Sequence, residues 1–419
     1  MSRRKRRNWP FLIAIFAVAG LLLVYAVVGP LISALLTPPR TLLVRPAPVL
    51  AAWGERIPIR LFEFFILAWL FVFGSCIGSF LNVVVYRVPR RMSLWGSSHC
   101  PRCRVRIPAV DNIPVFGWLK LRARCRTCHL PISARYPLVE FTVGLVVLVL
   151  ATLEILLAGL NLPEAGQREV LRLSVSWLVG HPRWDLIGAC VLHCGLVCVL
   201  LSWALIRYDG HAVPVRYAVG AFVAAWLLLV VAPLLRPDSW QPGSWDWSAW
   251  HAAWANGSRG ILGILGGALV GVLLKVGGRL AGRNRPTHVT PSDSGQAEQS
   301  EVGTYVAQPR RVDADVVPGL GLVGICLGWP AAVSVGILAT AARLMGALAL
   351  GVSSRLQPAP LLGYICLAAF GQLCLWRQLN ELAAWLGGPA GLPYLVAAAT
   401  MMLVVTWQAS VLERMASTP

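Results

Sequence analysis

Four cysteines carry the clearest chemistry in this sequence. They read Cys100-Pro-Arg-Cys103, then twenty-one residues, then Cys125-Arg-Thr-Cys128. A CxxC turn aims two thiolates at one point, and two such turns complete a closed tetrahedral shell of the zinc-ribbon kind. A closed shell leaves no open coordination position. The expected role is to hold a loop's fold, not to do chemistry. Two disulfides or four independent thiols are the alternatives, and a loop on the reducing side of a membrane disfavours the first. His99 and His129 flank the two pairs and could replace a ligand or sit beside the shell. Glu63, Glu140 and Glu154 lie in or near apolar runs. Acids placed there are functional suspects; the bland alternative is a polar pair that fixes helix packing. Gly319 to Gly324 nominally contains GxG, but no strand precedes it, so it does not read as a nucleotide site.

The elements that must position these residues are membrane helices. The chain has 419 residues, 57% of them hydrophobic and 13% charged. Soluble domains carry about 25% charged residues. A net charge of +19 would suit nucleic acid. Here, however, the basic residues sit between long apolar runs, as positive-inside sorting dictates, and no nucleic-acid partner is expected. The seven other cysteines lie in apolar runs and read as small hydrophobes.

Met1 to Arg7 holds five basic residues, and an uncharged run follows from Trp9 to Pro39. That run is longer than the apolar region of a signal peptide, so it reads as an uncleaved anchor with its basic end in the cytoplasm. Residues 40–60 are expected as an outer loop and Phe64 to Tyr86 as the next span. Residues 87–136 then contain eleven Lys or Arg and a single acid, Asp111, which places this loop in the cytoplasm. Further spans are expected at Pro137–Leu160, Leu186–Ile206, Tyr217–Leu235 and Gly260–Gly277. Between the last two, a loop with Trp240, Trp245, Trp247, Trp250 and Trp254 is expected at the outer leaflet, with an aromatic binding patch as the alternative. Residues 278–315 read as a flexible cytoplasmic linker. Val316 to Ala342 is broken at Trp329-Pro330 and reads as two short helices. Leu356–Trp376 and Pro389–Val411 complete the chain. No fixed-period repeat is evident.

One stretch carries a family resemblance. Gly74-Ser75-Cys76-Ile77-Gly78-Ser79-Phe80-Leu81-Asn82 leads to Tyr86-Arg87-Val88-Pro89. Then come Ser98-His99-Cys100-Pro101, Asp111-Asn112-Ile113-Pro114, Arg124-Cys125-Arg126 and Ile132-Ser133-Ala134-Arg135-Tyr136-Pro137-Leu138-Val139-Glu140. In this order and spacing, roughly residues 70–150 resemble the N-terminal domain of bacterial type IV prepilin peptidases. The resemblance implies a polytopic inner-membrane aspartic endopeptidase that cuts prepilin leaders on the cytoplasmic side. It also implies an N-methyltransferase that uses S-adenosylmethionine.

The same resemblance implies two catalytic aspartates at cytoplasmic helix ends. The first signature, an Asp followed after six residues by Pro-Asp or Pro-Asn, matches Arg207-Tyr208-Asp209-Gly210-His211-Ala212-Val213-Pro214-Val215. Pro214 and the frequent second acid, Asp209, match, but Arg207 holds the catalytic position. The second signature, Gly-x-Gly-Asp, matches Gly319-Leu320-Gly321-Leu322, with Leu322 at the acid. Leucine cannot exchange a proton and arginine stays charged. The expectation is therefore no peptidase activity by the family mechanism. Asp209 and Asp315, at cytoplasmic helix edges, are the candidate substitutes. Asp209 lies two positions from Arg207, which on a helix is another face.

The expected fold is an all-α polytopic membrane protein of about nine or ten transmembrane helices with a small cytoplasmic zinc-ribbon-like loop. Residues 1–60 form an extra anchor and outer loop, and 61–160 the N-terminal domain with the loop at 87–136. Residues 161–277 and 316–419 form the two halves of a degenerate peptidase domain around the 278–315 linker. Three functions compete. One is a non-proteolytic relative that binds prepilin-like proteins or secretion and pilus-assembly components. The others are an active peptidase with relocated acids and a methyltransferase-only relative. Membrane lipids are the remaining partner, zinc the expected cofactor, and S-adenosylmethionine the one the resemblance adds.

Overall fold

In a computed structural model of the protein, the structure describes residues 49–100, 102–163, 182–231, 249–282, 315–352, 360–385 and 392–416. The expected anchor at 9–39, most of the tryptophan loop and nearly all of the 278–315 linker lie outside them. The described residues are helical: α1 Val49–Arg87, α2 Phe116–Lys120, α3 Arg135–Ala151, α4 Trp184–Tyr208, α5 Val215–Val231, α6 Ala249–Gly282, α7 Val316–Leu327, α8 Trp329–Val352, α9 Leu361–Cys374, α10 Trp376–Trp385 and α11 Leu392–Ala416. No strand occurs among them; two isolated β-bridges sit in the cysteine loop. Five described helices are long and apolar enough to cross a membrane: Leu61–Arg87, Arg135–Leu156, Trp184–Tyr208, Gly257–Gly278 and Trp329–Leu348. Four shorter apolar helices accompany them.

Two boundaries differ from the sequence expectation. The expected outer loop at 40–60 is helical from Val49, and Trp250 and Trp254 lie within α6, not in a loop. The physical reason is the same in both places. Hydropathy marks the segment that leaves water, whereas a helix continues past that boundary as long as its backbone hydrogen bonds do. The break at Trp329 occurs as expected, but only the first of the two helices is short: α7 has 12 residues and α8 has 24, enough to span. Gly328 takes a left-handed backbone (φ +89°) between α7 and α8.

The chain divides into two compact units. The first is organised by α1 against α3. A side chain at Gly74 would meet the Val147 Cβ at 2.8 Å, and one at Gly78 would meet the Glu140 Cα at 2.7 Å. The Gly-Ser-Cys-Ile-Gly run is thus a small-xxx-small packing face. In a membrane, apolar surface gains little by leaving lipid, so close backbone approach is what holds two helices together. In the second unit, α6 and α7 use the same device. Gly263 and Gly267 lie directly against the backbone of Gly324 and Leu320, so close that no side chain fits between. Leu200, Trp203, Ile206, Leu320, Ile325, Ile365 and Leu373 are among the buried side chains of this unit.

Candidate functional site: a four-cysteine centre and an interhelical ion pair

Within the first unit, the loop between α1 and α3 contains two turns of the same construction. In the first, the Cys100 N–H donates to Val105 O at 3.0 Å, Arg104 N–H to Cys100 O at 2.9 Å, and Ile107 N–H to Ser98 O at 2.9 Å. In the second, twenty-five residues on, Cys125 N–H donates to Leu130 O at 2.9 Å, His129 N–H to Cys125 O at 3.1 Å, and Ile132 N–H to Ala123 O at 2.7 Å. Each turn closes on a bridge, His99 to Arg106 and Arg124 to Pro131. In each, the residue after the second cysteine has a left-handed backbone, Arg104 at φ +59° and His129 at φ +57°. The two knuckles are one motif used twice. Outside the cysteines only Ile107 and Ile132 coincide, which is why no repeat is evident in the sequence.

The knuckles bring the four sulfurs within 4.8 Å of one another. Cys100 Sγ lies 3.9 Å from Cys128 Sγ, and Cys103 Sγ 4.0 Å from Cys125 Sγ. A regular tetrahedron with Zn–S bonds of about 2.3 Å has S···S edges of about 3.8 Å. A disulfide needs about 2.05 Å. The cysteines are free thiols, and their spacing fits a metal shell and not two disulfides. The N–H groups of Cys128 and Thr127 point at the Cys125 sulfur and bring its thiol down to about 7. The Leu130 N–H draws the Cys128 thiol the same way, but burial and the three neighbouring sulfurs outweigh it and push it up to about 11. Four sulfurs at this distance compete for negative charge, and a divalent cation is what lets all of them ionise together. His99 and His129 are not in the cluster. His129 is exposed, and His99 Nδ1 faces Ser97 O at 3.4 Å.

Three contacts hold the loop's shape and attach it to the helix pair. Asp111, the loop's single acid, is buried and accepts both arms of the Arg126 guanidinium, with Lys120 Nζ at 3.6 Å. The Arg126 guanidinium holds the Asp111 carboxyl below the usual carboxylate range against the opposing effect of burial. Trp118 Nε1 donates to Ile132 O at 3.0 Å, tying α2 to the second knuckle. Glu140, on α3, accepts the Val115 N–H at 2.7 Å and the Ser79 hydroxyl. Val115 is unusual. Its φ of +60° and ψ of −53°, with Phe116 N–H on Pro114 O at 2.5 Å, make a three-residue γ-turn. That conformation is strained for a β-branched residue and persists only when its surroundings hold it. Glu140 does so. The sequence marked Glu140 as a suspect intramembrane acid but gave no sign of what it grips, because its partner is a backbone group.

Between these parts lies a cavity of about 450 Å³, lined among others by Ser79, Asn82, Tyr86, Tyr136 and Glu140. Its size is that of a small-molecule site. Glu154, the other buried acid of this unit, sits in a π-helical turn, Thr152–Leu156, that ends the span. Glu63 lies half-buried on α1.

Within the second unit, α4 ends in a Schellman cap. Gly210 N–H donates to Arg207 O at 3.0 Å and His211 N–H to Ile206 O at 3.1 Å, with Gly210 at φ +79°. Arg207 therefore occupies the last helical turn, where a cation complements the helix dipole. Pro214 then starts α5, accepting from Tyr217 and Ala218. Asp315 is the N-cap of α7, yet its carboxylate makes no capping bond. It faces Arg207, with Nε to Oδ2 at 3.2 Å, both side chains largely buried. Asp209 is half-buried at the C-cap of α4. Leu322 is buried within α7, about two helical turns beyond Asp315. Of the positions singled out from the sequence, the structure thus joins Arg207 to Asp315 and leaves Leu322 in apolar packing.

Comparison with known proteins bears on the first unit most directly. Residues 72–153 match the Bacterial Peptidase A24 N-terminal domain. A prepilin leader peptidase/N-methyltransferase of Myxococcus xanthus is 56% identical over 78 residues, which is 18% of this chain and 23% of that protein. A type 4 prepilin-like proteins leader peptide-processing enzyme of Escherichia coli is 39% identical over 132 residues, 27% of this chain and 46% of that one. A prepilin leader peptidase/N-methyltransferase of Neisseria gonorrhoeae is 30% identical over 211 residues, 39% of this chain and 65% of that one. The chain spans less than two thirds of the length of each. No solved structure matches. On its four-cysteine loop, the helix pair beneath it and these matches, residues 72–153 are similar to the N-terminal domain of the bacterial prepilin leader peptidases.

Proposed function

We propose that this chain is a multi-pass inner-membrane relative of the prepilin peptidases that does not cut prepilins by the family mechanism. Its four-cysteine loop would be kept as a metal-held structural module. The observation that carries the reading is the Arg207–Asp315 ion pair at 3.2 Å. Aspartic proteolysis needs two carboxylates that share a proton, one to accept a proton from water and one to polarise the scissile carbonyl. Here the Asp315 carboxylate stands against a guanidinium and not against a second carboxylate. The other acid position is a buried leucine. Asp209 and Asp315 as relocated acids are disfavoured for the same reason: Arg207 stands against one of them. The positive loop and basic N-terminus support an orientation with both in the cytoplasm. Prepilin-like proteins or secretion and pilus-assembly components would be the bound partners.

In the loop, Cys100, Cys103, Cys125 and Cys128 would hold zinc, and their sulfur spacing fits it. When bound, zinc would supply the folding free energy that so small and polar a loop lacks.

A second reading, methyl transfer without proteolysis, is favoured by the cavity of about 450 Å³ in the matched unit. Glu140, Tyr86 and Tyr136 are among its lining residues, beside Arg87, Arg102, Arg106 and Arg126; carboxylate and aromatic groups accept a cation such as the sulfonium of S-adenosylmethionine, and the guanidinium groups would accept its carboxylate. That donor would supply the methyl group. The residues of the chain would bind it and exclude water.

One experiment separates the readings. Purified protein is offered a prepilin reporter, and separately a pre-cut pilin terminus with labelled methyl donor. The proposal expects an uncut reporter. Cleavage abolished by Asp315→Asn would overturn it, and methyl incorporation would select the second reading.

A further inference from the structure

The turn between α1 and the first knuckle is built around one side chain. Arg87, the last residue of α1, is buried, which is unusual for an arginine. Its guanidinium lies on four carbonyl acceptors of one turn: Nη1 reaches Ser93 O at 3.0 Å, Leu94 O at 3.2 Å and Trp95 O at 3.3 Å, and Nη2 reaches Ser97 O at 3.4 Å. The Trp95 N–H closes the turn on Ser93 Oγ at 3.2 Å. A planar fork satisfying four carbonyls fixes a chain that would otherwise be free. Yet the side chain this turn displays is Trp95, 91% exposed, beside Leu94 at 39%. A fixed backbone presenting a large apolar ring to solvent is organised for something that covers the ring.

The position of the ring identifies the cover. The apolar part of α1, Leu61–Arg87, is 27 residues and so about 40 Å long, against a hydrocarbon thickness of about 30 Å. Its exposed flank carries Phe65, Trp69, Phe73 and Phe80 and ends at Tyr86. The end of α1 therefore reaches the headgroup layer, and Arg87 holds Trp95 within one side chain's length of it. The charge agrees. Residues 87–136 hold eleven Lys or Arg, and their single acid is buried against Arg126. A surface with positive charge and an amphipathic ring at headgroup depth is complementary to an anionic lipid layer. We propose that the Ser93–Ser97 turn is an interfacial anchor that inserts Trp95 among anionic phospholipid headgroups and seats the four-cysteine loop against the membrane from which it emerges.

The test uses the full chain, labelled with 5-fluorotryptophan, in nanodiscs of phosphatidylglycerol and phosphatidylcholine. The Trp95 fluorine line is the one that Trp95→Phe removes. The proposal expects this line to be broadened by a headgroup-attached nitroxide lipid and spared by a soluble gadolinium chelate. It also expects that selectivity to be lost in discs of phosphatidylcholine alone. With Arg87→Lys, whose ammonium cannot span four carbonyls, the line should become sensitive to the chelate while the other tryptophan lines stay in place. Broadening of the wild-type line by the chelate would overturn the proposal. So would protection from both agents, which would mean that protein covers the ring. An unchanged Trp95 line in Arg87→Lys would overturn the role given to Arg87.

Discussion

The four-cysteine loop and the α4–α7 helix ends differ in how residue types and backbone geometry agree. In the loop, residue types and geometry agree. Four thiols stand at the spacing of a tetrahedral shell, on two knuckles with matched hydrogen bonds. At the helix ends, the backbone devices are present but the side chains differ. The Schellman cap at Gly210, Pro214 at the start of α5 and the closely packed Gly319 are in place, while an arginine and a leucine stand where the resemblance expects acids. Scaffold and chemistry are separately encoded. A glycine that packs a helix keeps its role whatever the neighbouring side chain does.

The largest effect is expected in the loop. Structural zinc contributes about 10–16 kcal/mol to small zinc-held modules. Cys100→Ser or Cys125→Ser should therefore empty the site and open residues 87–136 to protease while the helices stay folded. Metal analysis with limited proteolysis reads this. Retained zinc and a resistant loop in both variants would remove the contrast between the two regions.

Next comes the ion pair. Arg207→Leu leaves the Asp315 carboxylate buried without its partner and should cost about 3 kcal/mol of stability. Arg207→Leu with Asp315→Leu should recover most of that loss, since an apolar pair replaces a desolvated one. Thermal unfolding of the four proteins of this cycle in one detergent measures the coupling. A coupling near zero would mean that the two side chains are independent boundary charges.

Glu140 should matter somewhat less. Glu140→Leu strands the Val115 N–H and releases the γ-turn, at about 2 kcal/mol. Glu140→Gln keeps an accepting oxygen and should lose little. Hydrogen exchange at Val115 distinguishes them, fast in the leucine variant and slow in the glutamine one.

The smallest effect is a pH dependence. The Arg126 guanidinium holds the Asp111 carboxyl below its ordinary range. A carboxyl lowered on folding stabilises the loop fully above the unfolded value of about 4, and that contribution falls away as pH drops through the lower folded value. Asp111→Asn should flatten this acid limb of loop stability, measured as the difference between wild type and variant so that metal loss is common to both. Equal acid limbs in the two proteins would remove Asp111 from the loop's framework.

Much of this was legible in the sequence. Alternation of long apolar runs with basic loops specifies a polytopic helical chain, because lipid leaves a spanning backbone no unsatisfied polar group. The break before Trp329-Pro330 was legible for the same local reason, since proline interrupts a helix from within its own residue. The helical stretch at 49–60 was not, because hydropathy is silent about a helix that continues into water. The γ-turn at Val115 and the Arg87 clamp were invisible too. Each depends on backbone acceptors or donors whose positions no side-chain pattern records.

Residue order alone supplied four cysteines at metal-ligand spacing, the membrane class, and Arg207 and Leu322 at the two positions where the resemblance expects acids. Each of these is a statement about residue type, or about spacing short enough for one turn to enforce. Only the tertiary structure decided that the two CxxC turns converge, that Arg207 meets Asp315 across 108 residues of chain, and that Glu140 grips a strained turn. Those contacts join groups far apart in sequence, so no local spacing records them.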